Sequence, residues 1–354
     1  MRKVTIYYDK DSVLNHNPQF GTLENGYRLN INFDPNIVLK IPNHNGEHFK
    51  MVKKFDTCNP TIKYLLSEPF KQNFLQRIFR IRPKSFSPRN CHGCTMLVSD
   101  DICPICGTEF GEDNFYKYVH LIDNSVNDSD TTYITHTSCS AIMNATNLVC
   151  QMVEDMAKKE TYNGFAVVRP PGHHASYVKS EGFCLINNIA ICAEYAILLG
   201  FKKIFIFDFD AHHGNGTQNI FYRRNDVFYC SMHTLDAYPK TGHPEEIGVL
   251  SGRYYNLNII VPKGVSDEAY VGEFKSKVLP AIIKYNPDLI LLSAGFDGLK
   301  SDPMSIMNLT PNCYTEIIKS LTKLNIKIGI VLEGGYNVEN LSICINRCIE
   351  QLQI

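Results

Sequence analysis

The sequence predicts an α/β domain built on a mostly parallel sheet covered by helices. Three observations point to this. From about residue 160 onward, short apolar segments alternate with segments of helical character. The apolar segments are rich in Ile, Val, Phe and Leu without polar alternation, the pattern of strands buried on both faces. The conspicuous polar residues come just after those segments, at the edge where open parallel sheets build their sites. At 354 residues and 44% hydrophobic composition, the chain can form one large core, or a core plus a small appendage.

The elements follow in order. Lys3–Tyr8 reads as a strand, whereas residues 10–50 are Asn-rich and only weakly periodic. Pro60–Arg80 holds one or two short helices. Ser138–Lys158 is an amphipathic helix, with Ile142, Ala145, Val149, Met152 and Met156 at helical spacing. Strands are expected at Gly164–Val168, Lys203–Asp208, Val227–Ser231, Leu257–Val261, Leu289–Ser293 and Ile326–Leu332. Helices are expected at Leu185–Leu199, Gly216–Phe221, Asp267–Ile283, Asn312–Lys323 and Val338–Ile349. Gly200 and Pro287 punctuate two of the approaches to strands.

The richest stretch is Ile204–Thr217, IFIFDFDAHHGNGT. An apolar strand runs out into Asp208, Asp210, His212 and His213, donors that suit Zn²⁺ or Fe²⁺ and leave a coordination position for water. In extended geometry Asp210 and His212 face the same way, with Asp208 on that face one step deeper. An acid so near the core needs a cation or a histidine as partner. Asp297, after another apolar strand, is a natural third ligand; taken alone it would serve equally as a helix cap or loop acid. His173 and His174 follow RPPG, whose prolines and glycine set a tight turn. With three ligands assigned elsewhere, an uncoordinated imidazole serves better as a general base. Asp208 suits one of these rings as an orienting partner and Asn215 the other. Asn cannot stabilise an imidazolium as a carboxylate does, so the second histidine should have the less elevated pKa. Tyr336 in LEGGYN can place a neutral hydroxyl over a metal-bound carbonyl.

RPPGHHA at 169–175, GFCLINN at 182–188, DFDAHHGNGT at 208–217, SMH at 231–233, YPKTG at 238–242, SAGFD at 293–297 and LEGGYN at 332–337 together resemble the histone deacetylase family, with wording nearer its class II and bacterial members. The resemblance covers most of residues 160–350. It implies a three-layer α/β/α arginase/deacetylase fold with a sheet of about eight strands, and a catalytic domain over 1–350. It implies that Asp210, His212 and Asp297 hold a catalytic zinc and that His173 and His174 are the tandem catalytic histidines, the second as general base and acid. Tyr336 matches the transition-state tyrosine. Gly182 and Phe183 match one wall of the substrate tunnel, Tyr238 the other. Asp208 matches a residue shared between a histidine and a potassium ion, with Ser231 and the backbone of Asp210 and His212 as further potassium contacts. Lys240 stands where the family's rim turn has glycine and adds a positive charge near the entrance. Met304, in DGLKSDPM, stands where polyamine-specialised members carry an acid, so the mouth looks like that of lysine deacylases. The N-terminal match is poor: HNGEHFK at 44–50 is a degraded version of a family segment, with Lys50 in place of an arginine. Asp128 and Asp130 are candidates for the aspartate that grips substrate backbone.

A second metal module is legible without the resemblance. Cys91, Cys94, Cys103 and Cys106 form two CxxC pairs separated by eight residues, the spacing of a structural four-cysteine zinc knuckle inserted over 84–112. So short a segment has no core of its own, so metal would supply its folding energy. Upstream, Arg77, Arg80, Arg82, Lys84 and Arg89 form a basic run over 77–89 that reads as a solvated linker, or as a contact for a protein partner or nucleic acid. The net charge of −1 provides no global basic field. Thirteen cysteines, an odd number with several inside apolar segments, fit a reducing intracellular compartment, cytoplasm or nucleus, better than a disulfide framework. The start MRKVTIYYDKD lacks the apolar run of a secretory leader, and no membrane span is expected. The expected activity is zinc-dependent hydrolysis of acetyl-lysine, or a related acyl-lysine, in a protein or peptide substrate. The alternatives are a deacetylase of small acylated amines such as acetylpolyamines, and a non-catalytic acyl-lysine-binding scaffold.

Overall fold

A computed structural model describes residues 2–10, 23–29, 31, 33, 37, 39–41, 132, 138–176 and 179–354. Eight strands form one sheet: β1 (Val4–Tyr7), β2 (Leu39–Lys40), β3 (Asn163–Ala166), β4 (Ile204–Asp208), β5 (Val227–His233), β6 (Asn256–Ile260), β7 (Leu289–Ala294) and β8 (Lys327–Leu332). Their order is β2-β1-β3-β8-β7-β4-β5-β6, and every pairing is parallel. The helices are α1 (Ser138–Ala157), α2 (Asn188–Leu198), α3 (Asn215–Phe221), α4 (Asp267–Glu273), α5 (Leu279–Tyr285), α6 (Pro311–Thr322) and α7 (Val338–Leu352).

The unbroken apolar runs are explained by burial on both sides. Ile204, Ile206, Leu289 and Leu291 pack into a core under α1 and α2. Their neighbours Phe205, Phe207, Ile290 and Leu292 point the other way, into a core under α4 to α7. The result is three layers, with each fully buried Phe or Leu contributing about 1.5–3 kcal/mol from its removal from water. Capping side chains mark the helix starts. Asn187 accepts from Ala190 N, Ser266 from Ala269 N, Thr310 from Asn312 N and Asn337 from Asn340 N.

The expected helix Asp267–Ile283 differs in one respect. A π-turn at Phe274–Val278 separates α4 from α5, and Leu279 N donates to Phe274 O. Pro280 is the cause: it has no N–H to donate back along an α-helix, and its ring crowds the preceding turn. β2 falls in the weakly periodic region and is an edge strand of two residues. No helix among the described residues is long and apolar enough to cross a membrane.

Since all strands run the same way, their C-terminal ends share one edge of the sheet. The loops after β3, β4, β5, β7 and β8 therefore open together, and they carry the histidine pair, Asp210–His212, Tyr238, Asp297 and Tyr336.

Candidate active site and metal centre

β4 ends at Asp208, so the extended alternation expected through His212 gives way to bends at 210–212. Two short side-chain-to-backbone bonds curl the chain. Asp208 Oδ1 accepts from Asp210 N at 3.2 Å and Asp210 Oδ1 from His212 N at 2.9 Å. The curl turns Asp210 and His212 toward Asp297 from the loop after β7. His212 Nδ1 lies 3.1 Å from Asp210 Oδ1 and 2.7 Å from Asp297 Oδ2. Ala211 N donates to Asp297 Oδ1 at 2.9 Å. One donor atom from each of these three buried residues lies within 4.8 Å of the others. Asp208 is not one of these three donors: its Oδ2 is 3.1 Å from His173 Nδ1 and accepts from the Tyr229 hydroxyl at 3.0 Å.

Two glycines make room for the carboxylates. A Cβ on Gly295 would lie 1.9 Å from Asp210 Oδ2, and one on Gly334 would lie 2.6 Å from the same oxygen and 2.8 Å from Asp297 Oδ2. Gly334 N donates to Asp210 Oδ2 at 3.0 Å. Burial, then the neighbouring Asp210, push the Asp297 carboxyl up to about 6. Two acids facing one imidazole in a closed setting form an anionic cradle, and hard and borderline donors of this set fit a divalent cation such as zinc.

The histidine pair sits beside this cradle, ring centroids 4.0 Å apart. Glu333, directly after β8, fixes their loop: Oε2 accepts from Gly172 N at 2.6 Å and His173 N at 3.1 Å, and Oε1 from Ser293 Oγ at 2.8 Å. The two rings differ in partner and in charge. Burial works against a charge on His173, but Asp210 and Asp208 outweigh it and hold the ring at about 10. His174 has Asn215 Oδ1 at 2.8 Å from its Nδ1, and burial, then His173 and His212, hold it well below the ordinary imidazole range. A neutral amide does not offset those effects as a carboxylate does.

Tyr336 comes from the turn after β8. Gly335 takes a φ of +115° there, and Asp302 Oδ2 accepts from Tyr336 N at 2.6 Å and Asn337 N at 3.0 Å. Burial, partly offset by Arg28, keeps the phenol neutral, well above its ordinary value. The buried Arg28 guanidinium lies 4.5 Å from the Tyr336 ring centroid and donates to Gly335 O at 2.8 Å and Glu333 O at 2.7 Å. Its charge is met by Glu24, which also binds Arg169.

A cavity of about 160 Å³ joins these groups, lined among others by Gly182, Phe183, Tyr238 and Met304. Phe183 stands 5.8 Å from Tyr336 and Tyr238 stands 5.0 Å from His174, centroid to centroid. Phe183 N donates to Thr132 Oγ1 at 3.0 Å. Ser231 lies behind the cavity, paired with Asp208 across β4 and β5, and its hydroxyl is 2.8 Å from His233 Nδ1. Lys240 takes a φ of +63°, the conformation that glycine adopts freely. Cys91, Cys94, Cys103 and Cys106, the basic run 77–89, Lys50, Asp128 and Asp130 lie outside the described residues.

Arg28, Glu24, Arg169, Glu333, Asp302 and Glu181 are the site residues that sequence reasoning passed over. Glu333 carried a signal, as an acid directly after a fully apolar strand, and Asp302 stands in the DGLKSDPM stretch that holds Met304. Arg28 carried none, since its partners are more than 300 residues away in sequence apart from Glu24.

A histone deacetylase domain model matches residues 94–352. Histone deacetylase 15 of Arabidopsis thaliana is 40% identical over 216 residues, which is 60% of this chain and 39% of that protein. The chain thus aligns with about two fifths of the length of that relative. Among solved structures, the HDA15 HD domain superposes with a TM-score of 0.75 at 26% identity, covering 99% of this chain and 88% of the other. An acetylpolyamine aminohydrolase from Burkholderia pseudomallei also reaches 0.75, at 23% identity and with 99% and 98% covered, a likeness of fold.

Proposed function

The chain belongs to the histone deacetylase family, and on that premise we propose that it hydrolyses the amide of N6-acetyl-lysine, or a related acyl-lysine, in proteins or peptides, with zinc as cofactor. The observation that carries this reading is the meeting of Asp210, His212 and Asp297 in one buried cradle whose cavity is also lined by His174 and Tyr336. Asp210, His212 and Asp297 would hold the zinc, which supplies Lewis-acid polarisation of the acyl carbonyl and a lowered water pKa.

The residues divide the remaining work. Phe183 and Tyr238 flank the lysine methylenes, apolar burial worth about 0.8 kcal/mol per CH₂. Met304 offers no charge to a distant ammonium, in keeping with a lysine side chain rather than a polyamine. His174, neutral, takes a proton from water as the water oxygen bonds to the acyl carbon. Tyr336 donates its hydroxyl to the developing oxyanion; one such donor is worth ~3 kcal/mol of barrier. When the C–N bond breaks, its electron pair stays on the lysine nitrogen, which takes a proton from His174 or His173. Asp208 orients His173.

The same reading assigns a potassium site to Asp208, the Ser231 hydroxyl and the backbone of Asp210 and His212. It treats residues 1–350 as the catalytic domain, with Cys91, Cys94, Cys103 and Cys106 holding a structural zinc in an 84–112 module that, with the run 77–89, would meet a protein partner or nucleic acid. The buried free thiols, among them Cys184, Cys192 and Cys230, support a reducing intracellular compartment, cytoplasm or nucleus. The test is a panel of peptides bearing acetyl and longer acyl lysines, beside acetylpolyamines, with and without chelator. Chelator-sensitive cleavage of acyl-lysine peptides is expected. Preference for acetylpolyamines, or binding without turnover, would overturn the reading.

A further inference from the structure

Asn215 is an ambiguous partner for a histidine. Its side chain ends in one acceptor and one donor, and a half-turn exchanges them. Whichever end faces His174 decides which imidazole nitrogen carries the proton. Asp208 sets no such problem for His173, because both ends of a carboxylate accept.

Beyond Asn215 lies Glu181, a residue only 6% exposed. Asn215 Nδ2 donates to Glu181 Oε1 at 2.6 Å, while Asn215 Oδ1 stands 2.8 Å from His174 Nδ1. The other carboxylate oxygen, Oε2, is 2.6 Å from Lys179 Nζ. A carboxylate paired with an ammonium accepts and does not donate. Asn215 must therefore present its NH₂ to Glu181 and its carbonyl to His174. The carbonyl accepts only, so the proton sits on His174 Nδ1 and the lone pair on Nε2.

Resting on the reading of His174 as the base, we propose that Glu181 is a positioning residue: through Asn215 it holds His174 in the Nδ1–H tautomer, leaving Nε2 to accept the proton. The carboxylate that Asn215 lacks is supplied one residue further out. It fixes a hydrogen-bond direction there without placing a second negative charge against the ring.

The test is a cycle of Glu181→Ala, Asn215→Asp and the double variant in the zinc-loaded full chain, read by steady-state kinetics and by the ¹⁵N resonances of His174. Glu181→Ala should lower kcat about tenfold with KM within about twofold, since a base in the wrong tautomer binds but does not react. Its ¹⁵N resonances should move toward a mixture of tautomers. Asn215→Asp alone should also be slow, because two carboxylates then face each other. The double variant should recover to within about threefold of wild type, since an aspartate at 215 accepts from Nδ1–H unaided. Glu181→Gln keeps the side-chain volume but can present either end, so it should mix the tautomers while melting near wild type. Additive losses in the double variant, or an unmixed tautomer in Glu181→Ala or Glu181→Gln, would overturn the proposal. If the wild type cleaves no substrate on the panel, the functional reading fails instead. The ¹⁵N measurement needs no substrate and still decides the tautomer.

Discussion

Replacing Tyr336 with Phe deletes one hydroxyl from a side chain that lines the cavity and leaves the metal cradle untouched. Under the proposed mechanism kcat should fall roughly 10²–10³-fold, the range for losing one oxyanion donor, while zinc content by plasma emission stays at the wild-type level. Retained wild-type kcat would count against the role. The two histidines set the pH dependence. His174 is held well below 6.5, because protonation would put a cation into a buried place beside His173 and His212. The base form is therefore present above that depressed value, and the acid limb of kcat/KM should lie below pH 6.5. An acid limb above pH 6.5 would contradict it. At this scale the sequence is a good guide to chemistry and a poor one to direction. Asp210 and His212 read as neighbours on an extended strand, but two side-chain-to-backbone bonds curl the chain and leave Asp208 facing His173. Alternation is a property of strands, and β4 has ended before these residues begin.

The elements that carry the site were legible because burial on both faces writes itself as an apolar run. Phe205 and Phe207 need one core, Ile204 and Ile206 the other, so β4 has no polar position before Asp208. β2 was not legible, since two residues at a sheet edge have no period to detect. Arg28 was hidden for a different reason: its ring partner Tyr336 and its carbonyl acceptors on Glu333 and Gly335 meet it only in the folded chain. The 3₁₀ turn Gly26–Leu29 that carries Arg28 thereby ties the N-terminal part to the β8 loop. Arg28→Ala should cost about 1–3 kcal/mol for each of the two buried carbonyl groups it leaves without a donor, while Glu24 keeps its pair with Arg169. Differential scanning calorimetry should show a clearly lowered Tm, together with a fall in kcat as the Tyr336 loop loosens. An unchanged Tm would remove Arg28 from the account.

The sheet places five loops at one edge, so the molecule as a whole acts as a frame for an anionic cradle. Metal should therefore stabilise the folded chain. At a zinc concentration a thousandfold above Kd the linkage is about 4 kcal/mol, which corresponds to roughly 5–6 °C in Tm for a chain of 354 residues. Adding chelator should reverse the shift, and Asp297→Asn should abolish it at the cradle. The motifs make this much of the site readable from the chain alone, because ligands and bases must be of particular chemical types. They do not reveal the bracing by Glu333, Asp302 and Glu181, because bracing needs only an acceptor in the right place.

The most direct measurement is an anomalous difference map at the zinc edge from crystals of the zinc-loaded protein. The account predicts a strong peak within coordination distance of Asp210, His212 and Asp297. A map with no density among those three side chains, in crystals whose protein cleaves acetyl-lysine peptides, would contradict it.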